Sequence, residues 1–410
     1  MSKGISRRSI LKLGTLSLSS GLATRIATAK HAEQTLTPLD NGIRKFTQLG
    51  RTNLMISDIS FGASQLKSGQ EVLVDHAFDK GINYFDTAAG YSGGQSEIVI
   101  GNSLKHKRDK VYLASKQFAG PRTRQTEMMK TLEGSLKRLQ TDYIDVYFNH
   151  AMNDINRLKN PEWQAFCEKA KQQGKIRYNG ISGHGGRLAQ CVDYAIDNNL
   201  VDVLLLAFNF GQDPAFYERF TKSLDIVATQ PKLPNLMAKA KQKQIGVIAM
   251  KVLRGARLND MRPFEKGSQT YAQAALKWAL ANQHIDACII SMTTKYQINE
   301  YIEASGERRI SSEELGLLQQ YIKQTDHAYC RPGCGDCQNA CPFGVAIADV
   351  LRSRMYAHDY ENIGFAKDSY AAITENATAC ISCDGQPCKS ACTYGLDIAQ
   401  LCRPVHHLLG

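Results

Sequence analysis

Asp86, Tyr91, Lys116 and His150 each stand at or just past the end of an apolar, strand-like run that leads into a helix-like segment. The runs are Tyr84-Phe85-Asp86-Thr87-Ala88, Val111-Tyr112-Leu113-Ala114-Ser115-Lys116 and Tyr143-Ile144-Asp145-Val146-Tyr147-Phe148-Asn149-His150. These residue types together make a proton donor. A phenol with an unperturbed pKa of about 10 is a poor acid at neutral pH, and an adjacent ammonium brings that value down by stabilising the phenolate. Lys116 is the ammonium that would act on Tyr91, Asp86 would hold Lys116 in place, and His150 would hydrogen-bond and orient a substrate oxygen. The competing reading is four unrelated polar residues at strand ends.

For the four to act together, the elements that carry them must converge. Strand-like runs near 57–63, 83–88, 111–116, 143–150, 177–182, 202–209, 246–251 and 287–292 alternate with helix-like stretches near 70–80, 95–106, 124–139, 162–173, 187–197, 232–243, 269–282 and 295–304. Alternation of this kind implies an α/β fold with a parallel sheet, and eight of each is the count of a closed (β/α)8 TIM barrel, whose strand C-termini meet at one mouth. Residues 30–42 read as a linker, 43–60 as a hairpin on the barrel floor, and 43–310 as the barrel. The long connection 210–231, with Phe216, Tyr217 and Phe220, is a candidate lid or substrate wall; buried-aromatic surface decoration is the equal alternative.

The segment Gly81-Ile82-Asn83-Tyr84-Phe85-Asp86-Thr87-Ala88-Ala89-Gly90-Tyr91, continuing through Ser96-Glu97 to Gly101, resembles the signature of the aldo-keto reductase family. The resemblance runs from about Ile43, through Leu49-Gly50-Arg51-Thr52 and Gly174-Lys175-Ile176-Arg177-Tyr178, to about residue 305. It implies an oxidoreductase that uses the four residues above as a catalytic set on a small, polar carbonyl or alcohol substrate. It also implies a nicotinamide cofactor, NADP or NAD, lying extended across the barrel mouth without a Gly-x-Gly-x-x-Gly loop. The cofactor contacts carried over are Ser182 and Met250, with Lys251 and Arg254 as phosphate contacts and Lys295 as the base of the last strand-to-helix turn. The chain departs from the family pattern with Gly183 in place of an Asn, Leu205 in place of a Gln, and Met250 in place of an aromatic stacker. An intact proton-donating set beside an eroded nicotinamide site leaves three enzyme schemes. These are NADP bound before export, redox coupled through a partner, and internal redox by an isomerase or lyase. A non-catalytic redox or binding protein on the same scaffold is the further alternative.

The chain has 410 residues, is 43% hydrophobic and carries a formal charge of +11, enough for one large core and a smaller module. The basic residues are scattered, with no compact polybasic run, which argues against a nucleic-acid partner. Lys3, Arg7, Arg8, Lys12 and Arg25 lie in an acid-free leader over residues 1–29 and account for much of the excess. Ser6-Arg7-Arg8-Ser9-Ile10-Leu11-Lys12, then a weakly apolar stretch and Ala27-Thr28-Ala29, resembles a twin-arginine signal peptide. That resemblance implies export of the folded protein to the periplasm or beyond; a solvated basic tail is the alternative. No run of about twenty apolar residues marks a transmembrane segment.

Of twelve cysteines, Cys167, Cys191 and Cys288 read as buried packing residues of the barrel, and Cys402 is unassigned. The other eight form two degenerate copies, Cys330-x3-Cys334-x2-Cys337-x3-Cys341-Pro342 and Cys380-x2-Cys383-x4-Cys388-x3-Cys392. Disulfides, two zinc sites, two [4Fe–4S] clusters and a single occupied cluster are all open to these thiols. Each group approximates the bacterial ferredoxin run, which favours iron–sulfur clusters and, in the two-cluster case, exchange of the last ligand of each group. The first cluster would take Cys330, Cys334, Cys337 and Cys392, and the second Cys380, Cys383, Cys388 and Cys341. Residues 311–410 then read as a linker helix from Ser311-Ser312-Glu313-Glu314 followed by this module, with further helices over 345–360 and 368–379. The stretch resembles the ferredoxin-like extension of a subset of aldo-keto reductases, and it implies an electron-transfer partner.

Overall fold

The computed structural model describes residues 37–185, 187–212, 232–253, 261–265, 267, 269–325, 330, 335–358 and 363–410. The chain divides into two units, Met1–Lys30 and His31–Gly410, and every described residue lies in the second. The leader, most of the 210–231 connection, Arg254 and Cys334 therefore lie outside the described residues.

Eight parallel strands close into a barrel, as the alternation predicts. They are β3 (Ile59–Gly62), β4 (Tyr84–Asp86), β5 (Tyr112–Gln117), β6 (Ile144–Asn149), β7 (Ile176–Gly183), β8 (Val203–Ala207), β9 (Gly246–Met250) and β10 (Ala287–Ser291), each paired with its sequence neighbour, and β10 returns to β3. Strands such as β3, β6 and β8 are short and fully buried, because a barrel strand faces packed side chains on both sides. Helices α1 (Glu71–Asp79), α2 (Gln95–Leu104), α3 (Gln125–Leu139), α4 (Pro161–Gln172), α5 (Leu188–Asp197), α6 (Leu233–Gln242), α7 (Tyr271–Leu280) and α8 (Lys295–Ile302) follow the strands in turn. Local chemistry sets their starts: Asn160 caps α4 with Pro161 in its first turn, and Thr270 and Thr294 cap α7 and α8.

The antiparallel hairpin β1 (Phe46–Gln48) and β2 (Met55–Ser57) plugs the floor. Leu49, Leu54 and Ile56 join Tyr84, Val203 and Ala287, the first residues of three barrel strands, in one interior cluster. The plug needs Gly50: its φ is +53°, and an added Cβ would lie 2.2 Å from the Gly246 nitrogen. The ring is closed by Asp58, which accepts from the Ser305 hydroxyl at 2.6 Å and the Gly306 amide at 2.9 Å and so ties the end of α8 to the first barrel strand.

Helix α9 (Ser312–Thr325) leads to the cysteine-rich region, where the Ser311 hydroxyl and the Glu314 carboxylate satisfy each other's backbone amides in a capping box. Beyond it lie α10 (Asp336–Ala340), α11 (Ile347–His358), α12 (Ile363–Ala371), α13 (Pro387–Ser390) and α14 (Ile398–Leu409), with a core of their own around Val350, Tyr370 and Cys402. The helix expected over 368–379 is displaced: α12 ends at Ala371 and a separate turn, Ala377–Cys380, is capped by Asn376. The Tyr370 hydroxyl accepts from the Ala377 amide, so the chain folds back on α12 instead of extending it. No described helix is long and apolar enough to cross a membrane.

Candidate active site

The strand C-termini converge on one cavity of about 1460 Å3, counting its open mouth, and Asp86, Tyr91, Lys116 and His150 all line it. Lys116 ends the inward-facing run of β5 and is 1% exposed, so its ammonium requires a buried counter-charge. It donates to Asp86 Oδ2 at 2.5 Å and to the Thr87 carbonyl at 2.6 Å, and it sits 4.9 Å from the centre of the Tyr91 ring. The Tyr91 and His150 rings meet edge to face at 5.6 Å.

The loops that carry these groups are held from outside the cavity. Tyr91 opens a tight turn in which Ser92, Gly93 and Gly94 all have positive φ. Just behind it, Ser96 bonds the Thr87 hydroxyl and the Ala63 carbonyl, while buried Glu97 accepts from Ser115 at 2.5 Å and from Arg138 at 2.7 Å. The loop after β6 is held by Arg157, which donates to the carbonyls of Ala119, Ala151 and His150 and to the Asn149 side chain. Sequence reasoning missed Arg157; a lone basic residue a few positions past a strand end was its only signal.

The charge states differ in one respect from the sequence expectation. Lys116 was expected to lower the Tyr91 pKa, yet Tyr91 is pushed well above its ordinary value by burial, with Asp86 and Tyr356 adding to the rise. Asp86 compensates the ammonium at contact distance, so the field that remains does not offset the desolvation of the phenolate. Burial likewise raises the Asp86 carboxyl, against the pull of Lys116, and lowers the Lys116 ammonium, against the pull of Asp86. His150 is driven well below the usual imidazole value by burial and then by Lys116, Arg157 and Lys251. The site therefore holds a protonated phenol and a neutral imidazole side by side.

Ser182, Met250 and Lys251 line the same cavity, and so does Leu205. The Ser182 hydroxyl is buried without a partner among the described residues, and Met250 offers a polarisable thioether. A flat heteroaromatic ring with one polar substituent, such as nicotinamide, fits these residues, although Gly183 and Leu205 supply no side-chain hydrogen bond to it. The turn after β10 enters the lining through Ser291, Thr293 and Gln297, whereas Lys295 is exposed on the first turn of α8 and stays outside it.

Two further lining residues come from the C-terminal region. Tyr356 of α11 accepts from Lys251 Nζ at 2.8 Å and bonds His184 Nε2 at 3.1 Å. Phe365 of α12 packs against Tyr91 at 5.8 Å, His150 at 6.2 Å and Tyr356 at 4.6 Å. Asn153, on the loop after β6, donates to Asp349 of α11 at 2.7 Å and holds that helix over the mouth.

Residues 58–323 match the aldo/keto reductase family. The chain belongs to this family. Among its relatives is the uncharacterized oxidoreductase YqkF of Bacillus subtilis, 28% identical, the match covering 68% of this chain and 96% of that protein. Another is L-galactose dehydrogenase of Arabidopsis thaliana, also 28% identical, with 68% of this chain and 92% of that protein covered. The solved structure of aldo-keto reductase AKR11C1 from Bacillus halodurans shares the fold at a TM-score of 0.54 and 21% identity, covering 67% of this chain and 95% of its own. The protein is thus an aldo-keto reductase-like oxidoreductase with a (β/α)8 barrel.

Beyond the family match, Cys341, Cys380, Cys383 and Cys388 line a second, apolar cavity of about 370 Å3, counting its open side. This brings the last cysteine of the first group among three of the second. The Cys388 thiol is pushed up by burial and then by Cys341, Cys380 and Cys383, so the four sulfurs share one electrostatic neighbourhood. The other side is linked as well: Thr393, next to Cys392, bonds the Asp336 carboxylate, next to Cys337. Cys330 packs against the same core, and Cys402 is buried with its thiol hydrogen-bonded to Cys380. No described cysteine forms a disulfide, and among the described residues no three His, Cys, Asp or Glu side chains are grouped tightly enough to hold a single metal ion. The four thiols line one shared space instead, a donor set whose softness and number suit an iron–sulfur cluster.

The two half-buried imidazoles make stability depend on pH. Burial depresses both His150 and His184, with nearby cations and, for His184, His150 adding to it. An unfolded histidine titrates near ~6.5, so as pH falls through that value the unfolded chain takes up protons first and the folded state loses stability. In denaturant titrations at about pH 7 and about pH 5, a His150→Asn, His184→Asn double variant should lose less stability on acidification than the parent. Equal losses would mean that both rings titrate normally.

Proposed function

We propose that this chain is an exported reductase or dehydrogenase that interconverts a carbonyl and an alcohol on a small, polar substrate. Tyr91, Lys116, Asp86 and His150 act as its catalytic set. The observation that carries the reading is the meeting of a buried phenol, a neutral imidazole and a lysine–carboxylate pair on one cavity. Tyr91, protonated throughout the neutral range, hydrogen-bonds the carbonyl oxygen and gives up its proton as negative charge develops there. Lys116 steadies the phenolate that remains, and Asp86 keeps the ammonium from turning into the cavity. His150, neutral, orients the same oxygen from the other side. NADP or NAD, when bound, supplies or accepts the hydride; Ser182 and Met250 would hold its ring, with Lys251 nearby. A polar substrate accords with Ser64, Gln65, Ser291, Thr293 and Gln297 in the cavity lining and with a relative named for L-galactose.

Tyr91→Phe should lower turnover on a genuine substrate by roughly a hundred- to ten-thousand-fold, with the far-ultraviolet spectrum unchanged. Near-parental turnover in that variant would take Tyr91 out of the mechanism.

The C-terminal cysteines are proposed to hold two [4Fe–4S] clusters with exchanged fourth ligands, Cys330, Cys334, Cys337 and Cys392 on one and Cys380, Cys383, Cys388 and Cys341 on the other. The shared cavity of the second set supports this assignment. Clusters move electrons singly and a hydride carries a pair, so this role calls for an electron-transfer partner. Anaerobically purified protein should contain iron near eight per chain, as two four-iron clusters require, with about half lost in Cys383→Ala. About four irons, unchanged by the substitution, would leave the second set empty, and stoichiometric zinc without iron would end the electron-transfer role.

Export through the twin-arginine route is proposed from the leader around Arg7 and Arg8. Replacing both with Lys should leave folded, iron-loaded precursor in the cytoplasm on cell fractionation. Unchanged accumulation outside the cytoplasm would exclude that signal.

A further inference from the structure

The cavity has a second reactive wall. Lys251 follows β9 with a φ of +58°, a left-handed conformation that a lysine rarely adopts, and it lines the cavity. Among the described residues it has no carboxylate partner, unlike Lys116, which rests on Asp86. Its partner is the Tyr356 hydroxyl at 2.8 Å, and the Tyr356 ring also lies 4.5 Å from the amine. Tyr356 in turn bonds His184 Nε2, while His184 Nδ1 is buried without a partner among the described residues. Amine, phenol and imidazole thus form a chain of three groups able to pass a proton, built from two barrel loops and α11.

We propose that Lys251, Tyr356 and His184 form a second acid–base centre that removes and returns a proton at the carbon next to the carbonyl held by Tyr91 and His150. The inference rests on the carbonyl reading of the Tyr91 wall. In the step, the Lys251 amine takes the proton from that carbon, the C–H electron pair becomes the carbon–carbon double bond of an enolate, and the negative charge settles on the oxygen hydrogen-bonded to Tyr91 and His150. The ammonium so formed relays its proton through Tyr356 to His184 or returns it to carbon. No electrons leave the substrate, so the step needs no co-reactant. Burial keeps Lys251 well below the ordinary lysine value, with Arg352 of α11 adding to the effect, and this favours the amine form that a base requires. The titratable and charged groups around it are Tyr356 and Arg352 of α11, His184 after β7 and His150 after β6. Phe365 is in ring contact with both Tyr91 and Tyr356 and so links the two centres across the cavity lining. Two acid–base centres on one cavity suit an α-hydroxycarbonyl compound, whose carbonyl oxygen and neighbouring C–H would each meet one.

The test is solvent exchange. The anaerobically purified protein is placed in D2O with dihydroxyacetone or erythrulose, and deuterium entering at the carbon beside the carbonyl is followed by proton NMR against heat-inactivated protein. The parent should catalyse exchange. Lys251→Arg, which keeps a cation of similar reach but no available base, should lower it at least a hundredfold, and Tyr356→Phe, which keeps the ring packed on Phe365, at least tenfold. Addition of methylamine to Lys251→Ala should restore part of the rate. Absence of exchange in the parent, or equal exchange in the Lys251→Arg variant, overturns the assignment. Reduction of the probes without exchange would reject this centre and leave the Tyr91 reading standing. Exchange by protein that reduces neither probe would reject the reductase reading and leave this centre.

Discussion

A lysine ammonium buried at the bottom of a cavity is tolerable only beside a fixed counter-charge, and the 2.5 Å contact between Lys116 and Asp86 meets that requirement. The pair fixes how β4 and β5 must align, since Asp86 ends one strand and Lys116 nearly ends the next. That register, with Asp86 opposite Ala114, sets where the chain leaves β4 and therefore where the Tyr91 turn begins. Removing either partner would leave the other charged and unpaired in a dry site, a loss of about 3–5 kcal/mol, so the pair supports both the fold and the chemistry above it.

The same physics explains the contrast between the two lysines of the cavity. Lys116 has its charge compensated and serves as an electrostatic anchor. Lys251 has a phenol and an imidazole in place of a carboxylate, so burial falls on it without compensation. One barrel mouth thus holds a cation whose burial is partly offset and one whose burial is not. Their difference comes from one neighbouring side chain, and it is the reason their roles separate.

Much of the barrel was legible in the sequence because its signals are local. Short apolar runs ending in polar residues, caps such as Asn160 and Thr270, and the 81–101 motif each sit within a few residues of one another, and eight repeats leave little freedom of topology. What was not legible depends on contacts distant in the chain. Tyr356 meets Lys251 across 105 positions and His184 across 172, and no periodicity announces such a meeting. The Tyr91 pKa was misjudged for a related reason. Adjacency to Lys116 could be read from the sequence, but complete burial and the prior claim of Asp86 on the ammonium could not. The 368–379 helix failed because Tyr370 uses its hydroxyl to hold a turn, a tertiary contact that overrides helical patterning.

Helix α11 joins the two cavities. Ile347 at its start lines the thiol-rich cavity, and Tyr356 near its end lines the barrel cavity. Nine residues of α-helix separate them by about 14 Å along the axis. A helix of this length transmits a displacement of one end to the other with little bending, because its hydrogen bonds and the packing of Val350 and Leu351 in the C-terminal core resist it. The lining of the thiol-rich cavity and the placing of Tyr356 beside Lys251 therefore rest on one helix. Asn153, bonded to Asp349 one turn into the helix, supplies the barrel's own hold on the same rod. The C-terminal region is a wall of this cavity, held in place by the barrel loops through Asn153 and Lys251 and by a core of its own.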